Sequence, residues 1–532
     1  MSRISSRLGR THARLVSTAT PQPIAAPSQC PSTGNVTSSA GYPPPHSTAC
    51  TPPPRQVTIG ELSDKVLLKI FCHFLDASPR HWPTLMHICR KWRRIVFGSQ
   101  RALRLQLFCT HGMAVLKTID CFPALPIVVQ YGGSQALDPP APEDEDDIIA
   151  ALTHSDRITS INLTVTSSLL KKLSAIKKSF EKLEHLILLS RDGMRLTLPN
   201  SFQWGPHLRH LHSTGIAFPA LLQLLHLSRN LVDLHLHEVL DPSHTPPEAL
   251  INALTNLIQL RSLSLHFLPT VRHLSSPPPS GELVVLPALS RLNFQGSTEY
   301  LEGLVARIDT PLLGNIEVTI FNKSNFGFST LRKFIDRIGM HKSYRRAEIL
   351  SSGNAISIFL TRPGDLTCLK FQSFREPLSE QLSIVAQICI QLSVFLCNVE
   401  ELHISAQRPS NEEHGLYSER WQEIINSFTG VKWFHVSGNL SANIVRPLRL
   451  VPGKPREFVL PALQNLYILQ PGPCYSCLRE AVVSFMVSRR LSCRPILVDY
   501  EYLCHINEVR GTLGGTGMYS KCRRHSASLL TH

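Results

Sequence analysis

One apolar spacing recurs along this chain and narrows what it can fold into. From about residue 155 onward, apolar-x-x-apolar-x-apolar appears at Ile158/Ile161/Leu163, Leu183/Leu186/Leu188, Leu231/Leu234/Leu236, Leu260/Leu263/Leu265 and Leu289/Leu292/Phe294. It continues at Leu313/Ile316/Val318, Leu366/Leu369/Phe371, Val399/Leu402/Ile404, Val431/Phe434/Val436 and Leu463/Leu466/Ile468, with a weaker copy at Leu208 and Leu211. The last two apolar positions of each copy alternate, as they do on a strand with one buried face. Most copies begin roughly 23 to 33 residues apart, close to the periods of stacked repeats. The step from Leu313 to Leu366 is about twice as long, so a degenerate copy is expected near Ala347–Leu350. Return helices are expected at Leu169–Phe180, Ala220–Leu227, Pro247–Leu257, Tyr300–Ile308 and Leu378–Phe395. One such unit cannot bury its apolar face alone, but stacked neighbours can. The expectation for residues 155–505 is therefore a curved sheet of parallel strands lined by helices, in the α/β class. Loops at Ser275–Gly281 and Gln407–His414 interrupt the pattern, and an irregular α/β domain with Leu-rich strands is the competing reading.

Upstream, residues 57–98 carry helical spacing instead. Val66, Leu67, Ile70, Phe71, Phe74 and Leu75 form one stripe, with Ser63 placed to cap it, Asp64 at the positive end of the dipole and Ala77-Ser78-Pro79 stopping it. A second stripe, Leu85, Ile88, Cys89, Trp92, Ile95 and Val96, reads as one further helix. It opens near Pro83 and ends at Gly98, with Arg90, Lys91, Arg93 and Arg94 in its last turns. Two amphipathic helices in about 40 residues bury too little surface to stand alone, which suggests a docking module. Residues 99–154 read as a connecting segment. It has strand-like stretches at Leu103/Leu105/Leu107 and Leu125–Tyr131, a loop at Gly132–Pro142, and the acidic run Glu143–Asp147 before Ile148. That run is expected to be solvated or to serve a helix N-terminus.

Composition bounds the remainder. Of 532 residues 43% are hydrophobic and 17% charged, so most of the chain should fold, in several domains or one array. The formal charge is +15, and Arg3, Arg7, Arg10, Arg14 and Arg55 contribute to it from an acid-free stretch. Residues 1–56 are basic and rich in Pro, Ser and Thr, and are expected to be a disordered tail. The same composition also suits a transit peptide. Residues 506–532 read as a second loose basic tail. The 14 cysteines stand singly in apolar runs, which suits free thiols in the cytoplasm or nucleus better than a disulfide framework. No run approaches the ~20 apolar residues that span a bilayer, so no membrane partner is expected.

The run from Leu62 to Val96, L-S-D-K-V-L-L-K-I-F followed by W-P-T-L-M-H-I-C-R-K-W-R-R-I-V, resembles the F-box. Leu62, an acid position at Asp64 or Lys65, Val66, Leu67, Ile70, Phe71, Cys89, Arg90 and Trp92 fall in register with its pattern; Ser63 stands where Pro is usual. W-R-R-I-V-F-G-S, then A-L-x-L-x-L-x-C and A-L-P-I-V-V, looks like the F-box-like proteins of fungi and extends the likeness to about residue 131. The downstream array is similar in spacing to leucine-rich repeats, although the Asn or Cys that often follows the strand is mostly missing. The resemblance implies a small helical module followed by a leucine-rich-repeat-like solenoid. It implies binding of a Skp-type adaptor and its cullin complex through Leu62, Val66, Leu67, Ile70, Phe71 and Trp92, with an unknown protein substrate held by the repeats. On that basis the chain would recruit substrate to an SCF-type ubiquitin ligase. A scaffold of the same architecture without ubiquitination is the alternative.

No phosphate loop, nucleophile elbow or H-E-x-x-H is present, and the expectation is a non-enzyme with no cofactor and no small-molecule substrate. His210, His212, His235 and His237 alternate with Leu and read as a strand face rather than as metal ligands. Cys474-Tyr475-Ser476-Cys477 is a lone C-x-x-C; Cys493, Cys504, His505 and Cys522 follow without a second close pair, which argues against structural zinc. The basic residues are dispersed and no aromatic-basic module appears, so no nucleic acid is expected.

Overall fold

Three short helices open the described chain. The structure, a computed structural model, describes residues 59–111, 115–131, 142–190, 196–218, 220–238, 245–268, 282–320, 329–339, 344–352, 355–362, 369–374, 378–406, 418–438, 441–448, 459–471 and 475–501. The tails expected at 1–56 and 506–532 lie outside them, as do the loops expected at Ser275–Gly281 and Gln407–His414. Contacts divide the chain between Leu62 and Ser63. Before that point only residues 59–62 are described, with a single 3-10 turn at Ile59–Glu61.

Helix α1 spans Asp64–Ala77. Ser63 caps it as expected: its backbone is extended and its hydroxyl accepts from the Val66 amide at 3.4 Å. The single second helix expected from the sequence is instead two, α2 (Trp82–Ile88) and α3 (Arg90–Gly98). Cys89 is extended between them and its sulfur accepts from the Trp92 amide at 3.5 Å, acting as the cap of α3. Arg90, Lys91 and Arg93 therefore sit in the first turn of α3, with Arg94 just after it, rather than in the last turn of a longer helix, and the first turn is the unfavourable end of the dipole. They find other partners: Lys91 and Arg94 pair with Asp64 at 3.7 and 3.3 Å, and Arg93 Nε donates to the Met86 carbonyl at the end of α2.

A mixed sheet of 16 strands follows, accompanied among the described residues by three two-stranded sheets. Its strands are β1 (Leu107–Cys109), β2 (Ile127–Tyr131), β3 (Ile158–Val165), β4 (His185–Ser190), β5 (His210–Thr214), β6 (Asp233–His237), β7 (Ser262–His266), β8 (Arg291–Gly296) and β9 (Asn315–Ile320). After these come β10 (Arg346–Ser352), β11 (Ala355–Thr361), β12 (Leu369–Phe374), β13 (Glu401–Ala406), β14 (Trp433–Gly438), β15 (Asn465–Pro471) and β16 (Leu497–Glu501). From β1 to β9 each strand lies parallel beside the one before it in the chain, and β13 to β16 do the same. The segment read as a connector thus supplies the first two strands.

Register explains the repeated spacing. Leu186, Leu211, Leu234, Leu263, Leu292, Ile316 and Leu369 are successive partners across the sheet, and Leu236, Leu265, Phe294, Val318 and Phe371 form the next row. Each row is buried. Burying one such side chain is worth about 1.5–3 kcal/mol, so a row shared by neighbouring strands rewards stacking more than any strand could gain alone. Crossover helices lie near their expected places at Leu221–Leu227, Pro247–Leu254, Thr298–Arg307 and Leu378–Gln391, whereas the one expected over Leu169–Phe180 is shorter, Ser167–Leu173, with Phe180 in a two-residue strand, Ser179–Phe180. Others at Ser329–Arg337, Ser418–Asn426 and Tyr475–Leu491 had no sequence expectation.

The array is not uniform. Between β9 and β13 the order is β12, β11, β10, and β11 runs antiparallel to both neighbours. The degenerate copy is here: Ala347 and Ile349 of β10 align with Leu402 and Ile404 of β13, and Tyr344 is buried at the leading position. The acidic run begins a helix, Pro142–Leu152, but it is not wholly solvated. Glu145 is buried and accepts from the hydroxyls of Thr166 (3.0 Å) and Ser168 and pairs with Lys172 at 3.2 Å. Among the described residues no helix is long and apolar enough to cross a membrane.

Candidate functional site

Two surfaces present chemistry to the outside. The first is on the helical module, where the structure sorts the residues that sequence alone left mixed. Leu67, Phe71 and Trp92 are buried, at 0%, 0% and 8% exposure, with the Phe71 and Trp92 rings 4.7 Å apart. Val66, Ile70 and Phe74 point outward at 43%, 40% and 41%. Spaced four apart, they share one line along α1. Leu62 is half-buried, just ahead of the cap. Ile88 and Phe97 are further exposed apolar side chains on α2 and α3. Scattered surface apolar residues are ordinary, but a helical row of three large ones is a candidate contact.

The second surface is the sheet face opposite the buried leucine rows. Side chains alternate across a strand, so the residues flanking each buried Leu point away from it. On β5 and β6 these are His210, His212, Asp233, His235 and His237. Because parallel in-register strands run ~4.8 Å apart, like residues in successive copies come to lie over one another. The His237 and His266 rings stack at 3.8 Å, and His185 and His210 at 4.5 Å. His210 Nδ1 lies 2.6 Å from Asp233, and His237 Nε2 lies 3.1 Å from the Ser264 hydroxyl. The histidines thus form a half-buried strand face, as their alternation suggested. No three of the four singled out from sequence bring ligand atoms within 4.8 Å of one another; the ring centres of His212, His235 and His237 lie 5.2 to 6.2 Å apart. Cys474, Cys504, His505 and Cys522 lie outside the described residues, and Cys493 is an exposed free thiol.

Burial governs the charge of this face. It pulls His237 down to about 3, with the imidazoles of His266, His212 and His235 adding to the effect. Burial likewise lowers His212, His235 and His266. These rings are therefore neutral at pH 7. A folded-state value below the unfolded one means that the fold favours the neutral ring. The associated stability is present above about pH 6.5 and is lost as pH falls towards 3. The thermal midpoint is expected to drop through that window, and a His237→Gln variant should show a shallower drop. Equal slopes in the two proteins would remove His237 from the account.

Further along the same face, β13 and β14 bring together residues the sequence did not single out. Glu401 and His403 lie two apart on β13, and His435 is the register partner of His403 on β14. His403 Nε2 is 2.6 Å and His435 Nε2 3.6 Å from Glu401 Oε1. The two rings stack at 3.9 Å, and Tyr467 stacks on His435 at 4.4 Å. The hydrogen bond from His403 holds the Glu401 carboxyl below the usual carboxylate range. Among the described residues this is the one group of His, Cys, Asp or Glu that brings three ligand atoms within 4.8 Å. The signal available in the sequence was the same position in consecutive copies, E-L-H-I and W-F-H-V. No protein-family model matches this chain, and a search of curated proteins finds no similar sequence.

Proposed function

We infer that this chain is a substrate-recruiting adaptor of an SCF-type ubiquitin ligase. In this account α1–α3 form an F-box-like module that docks a Skp-type adaptor, and the sheet is a leucine-rich-repeat-like solenoid whose polar face holds a protein partner. The chain performs no chemistry; it raises the effective concentration of substrate beside a charged E2. The observation that carries the reading is the outward row Val66, Ile70 and Phe74 on a helix whose inner row, Leu67, Phe71 and Leu75, is already buried. That arrangement leaves apolar surface which the module does not use for its own core. Ser63 supports it further, since its cap supplies the helix start that Pro gives in the usual motif.

The test uses the exposed row, because charge at Leu67 or Phe71 would unfold the module and prove nothing. Purified chain is mixed with a purified Skp-type adaptor, beside a Val66→Asp/Ile70→Asp variant whose folding is checked by circular dichroism. Capture by the wild type and loss of roughly a hundredfold in affinity in the folded variant is expected, on the scale of two apolar contacts removed. Equal capture by both, or none by the wild type, would exclude adaptor docking through α1.

A further inference from the structure

We propose that Glu401, His403 and His435 form a binding site for a first-row divalent transition-metal ion on the polar face of the sheet. The site does not depend on the adaptor reading.

The geometry comes from the fold rather than from a local motif. Two ligands two residues apart on one strand point to the same side of the sheet, and an in-register parallel neighbour delivers a third beside them. The three atoms, Glu401 Oε1, His403 Nε2 and His435 Nε2, lie within 4.8 Å of one another. Glu401 Oε1 is 3.6 Å from His435 Nε2, a spacing that suits two ligands ~2.0–2.2 Å from one ion, and the 2.6 Å hydrogen bond with His403 opens to a similar spacing on binding. His435 lies between the His403 and Tyr467 rings, stacked at 3.9 and 4.4 Å; parallel rings cannot both aim an Nε2 lone pair at one ion, so binding turns the His403 ring out of this stack. Arg346 Nη1 on β10 is 4.0 Å from the same Glu401 oxygen, a loose ion pair rather than a hydrogen bond. All three side chains are about a fifth to a third exposed, which leaves access from solvent.

The donor set selects the ion. Two imidazoles and one carboxylate suit zinc and its neighbours in the first row, and are a poor set for magnesium or calcium, which take oxygen ligands. Three protein ligands leave a position open. Structural zinc sites are normally closed by four, so this arrangement is of the open type, able to take water or a donor side chain of a bound partner. Binding replaces the contact between His403 and Glu401 by two metal–ligand bonds. It also ties β13 to β14 across the strand pair.

Zinc binding by the full chain is measured by calorimetry after chelator treatment and desalting, with cobalt as a spectroscopic probe. Because 24 His and 14 Cys supply background sites, the informative quantity is the difference between variants. Wild type should bind one equivalent more tightly than His403→Asn, His435→Asn or Glu401→Gln, each weakened by roughly tenfold or more. It should show visible cobalt bands that these variants lack. His237→Gln, elsewhere on the same face, should retain them. Magnesium should neither bind nor raise the thermal midpoint. Thermal unfolding without metal identifies any variant that fails to fold, and the remaining two then decide. Equal stoichiometry and affinity in wild type and the folded ligand variants, or no binding to the wild type, would overturn the site.

Discussion

A Phe71→Ala variant should lose α1–α3 as folded helices while the strands from β3 onward keep theirs. Phe71 is fully buried in a core that consists of little more than Leu67, Leu75, Trp82, Leu85, Met86, Trp92, Ile95 and Val96. Its ring rests on Trp92 at 4.7 Å, so truncation leaves a cavity against one of the module's two buried tryptophans. Phe→Ala in a core costs about 3–5 kcal/mol. A helical unit of this size rarely has more than about 3–5 kcal/mol to lose. The sheet draws its stability from rows of leucines shared between neighbours, which this change does not touch. The module is tied to the start of the sheet through Trp82, whose indole donates to the Gln106 carbonyl at 2.7 Å and whose ring meets Phe122 edge-on. Loss of protection should therefore reach β1 before it reaches the array. Hydrogen exchange read peptide by peptide distinguishes the outcomes. Protection lost at residues 64–98 and retained at β5–β9 is the expected pattern. A uniform loss along the chain would mean that module and sheet unfold together, and unchanged exchange would mean that Phe71 is not the keystone of its core.

Much of this architecture is legible in the sequence, and the places where it is not have physical reasons. Leu234 and Leu236 announce a strand because period two with one buried face has few other solutions. Ser63 announces a helix start because its hydroxyl is placed to accept a free amide. Cys89 conceals a helix break, since it continues an apolar stripe at helical spacing and only its extended backbone shows that α2 has ended. Tyr344 and Ala347 conceal a copy because they fill leucine places with a larger and a smaller side chain. Ala355–Thr361 falls outside the repeated spacing and prompts no expectation, and periodicity carries no direction, so its antiparallel course is invisible until register is known. The same limit applies to function. Val66 and Leu67 are adjacent apolar residues in one motif, and only the packed helices show which faces out. Glu401, His403 and His435 are ordinary residues within two copies. They become a constellation only because β13 and β14 pair in register, a long-range fact that no window of sequence contains.

Gly438→Ala is expected to be among the most damaging single-methyl changes in the array, for two separable reasons. Gly438 ends β14 with φ of +90°, where a side chain is strained. Its added Cβ would also lie 2.2 Å from the carbonyl oxygen and 2.9 Å from the carbonyl carbon of Ala406, the last residue of β13. Backbone atoms in a ladder cannot swing aside, so the strands must part. The register with β15 shifts at this residue, which marks it as a bulge where chains come unusually close. Strained backbone contributes about 1–3 kcal/mol. Forced overpacking contributes about 1–3 kcal/mol more. Two other glycines separate the terms. Gly339 has φ of +68° with nothing within 4 Å of an added Cβ, so Gly339→Ala should show the backbone cost alone. Gly314 has neither a positive φ nor a close neighbour, its nearest atom being the Ser290 carbonyl oxygen at 4.0 Å. Gly314→Ala should be neutral or slightly stabilising through the unfolded chain. Urea midpoints should then fall in the order Gly314→Ala, Gly339→Ala, Gly438→Ala, with the last well below the other two. If Gly438→Ala matches Gly339→Ala, the strand pair has room to yield and the close approach to Ala406 is not a constraint. If it falls further, β13 and β14 are locked at the spacing that also sets His403 against His435.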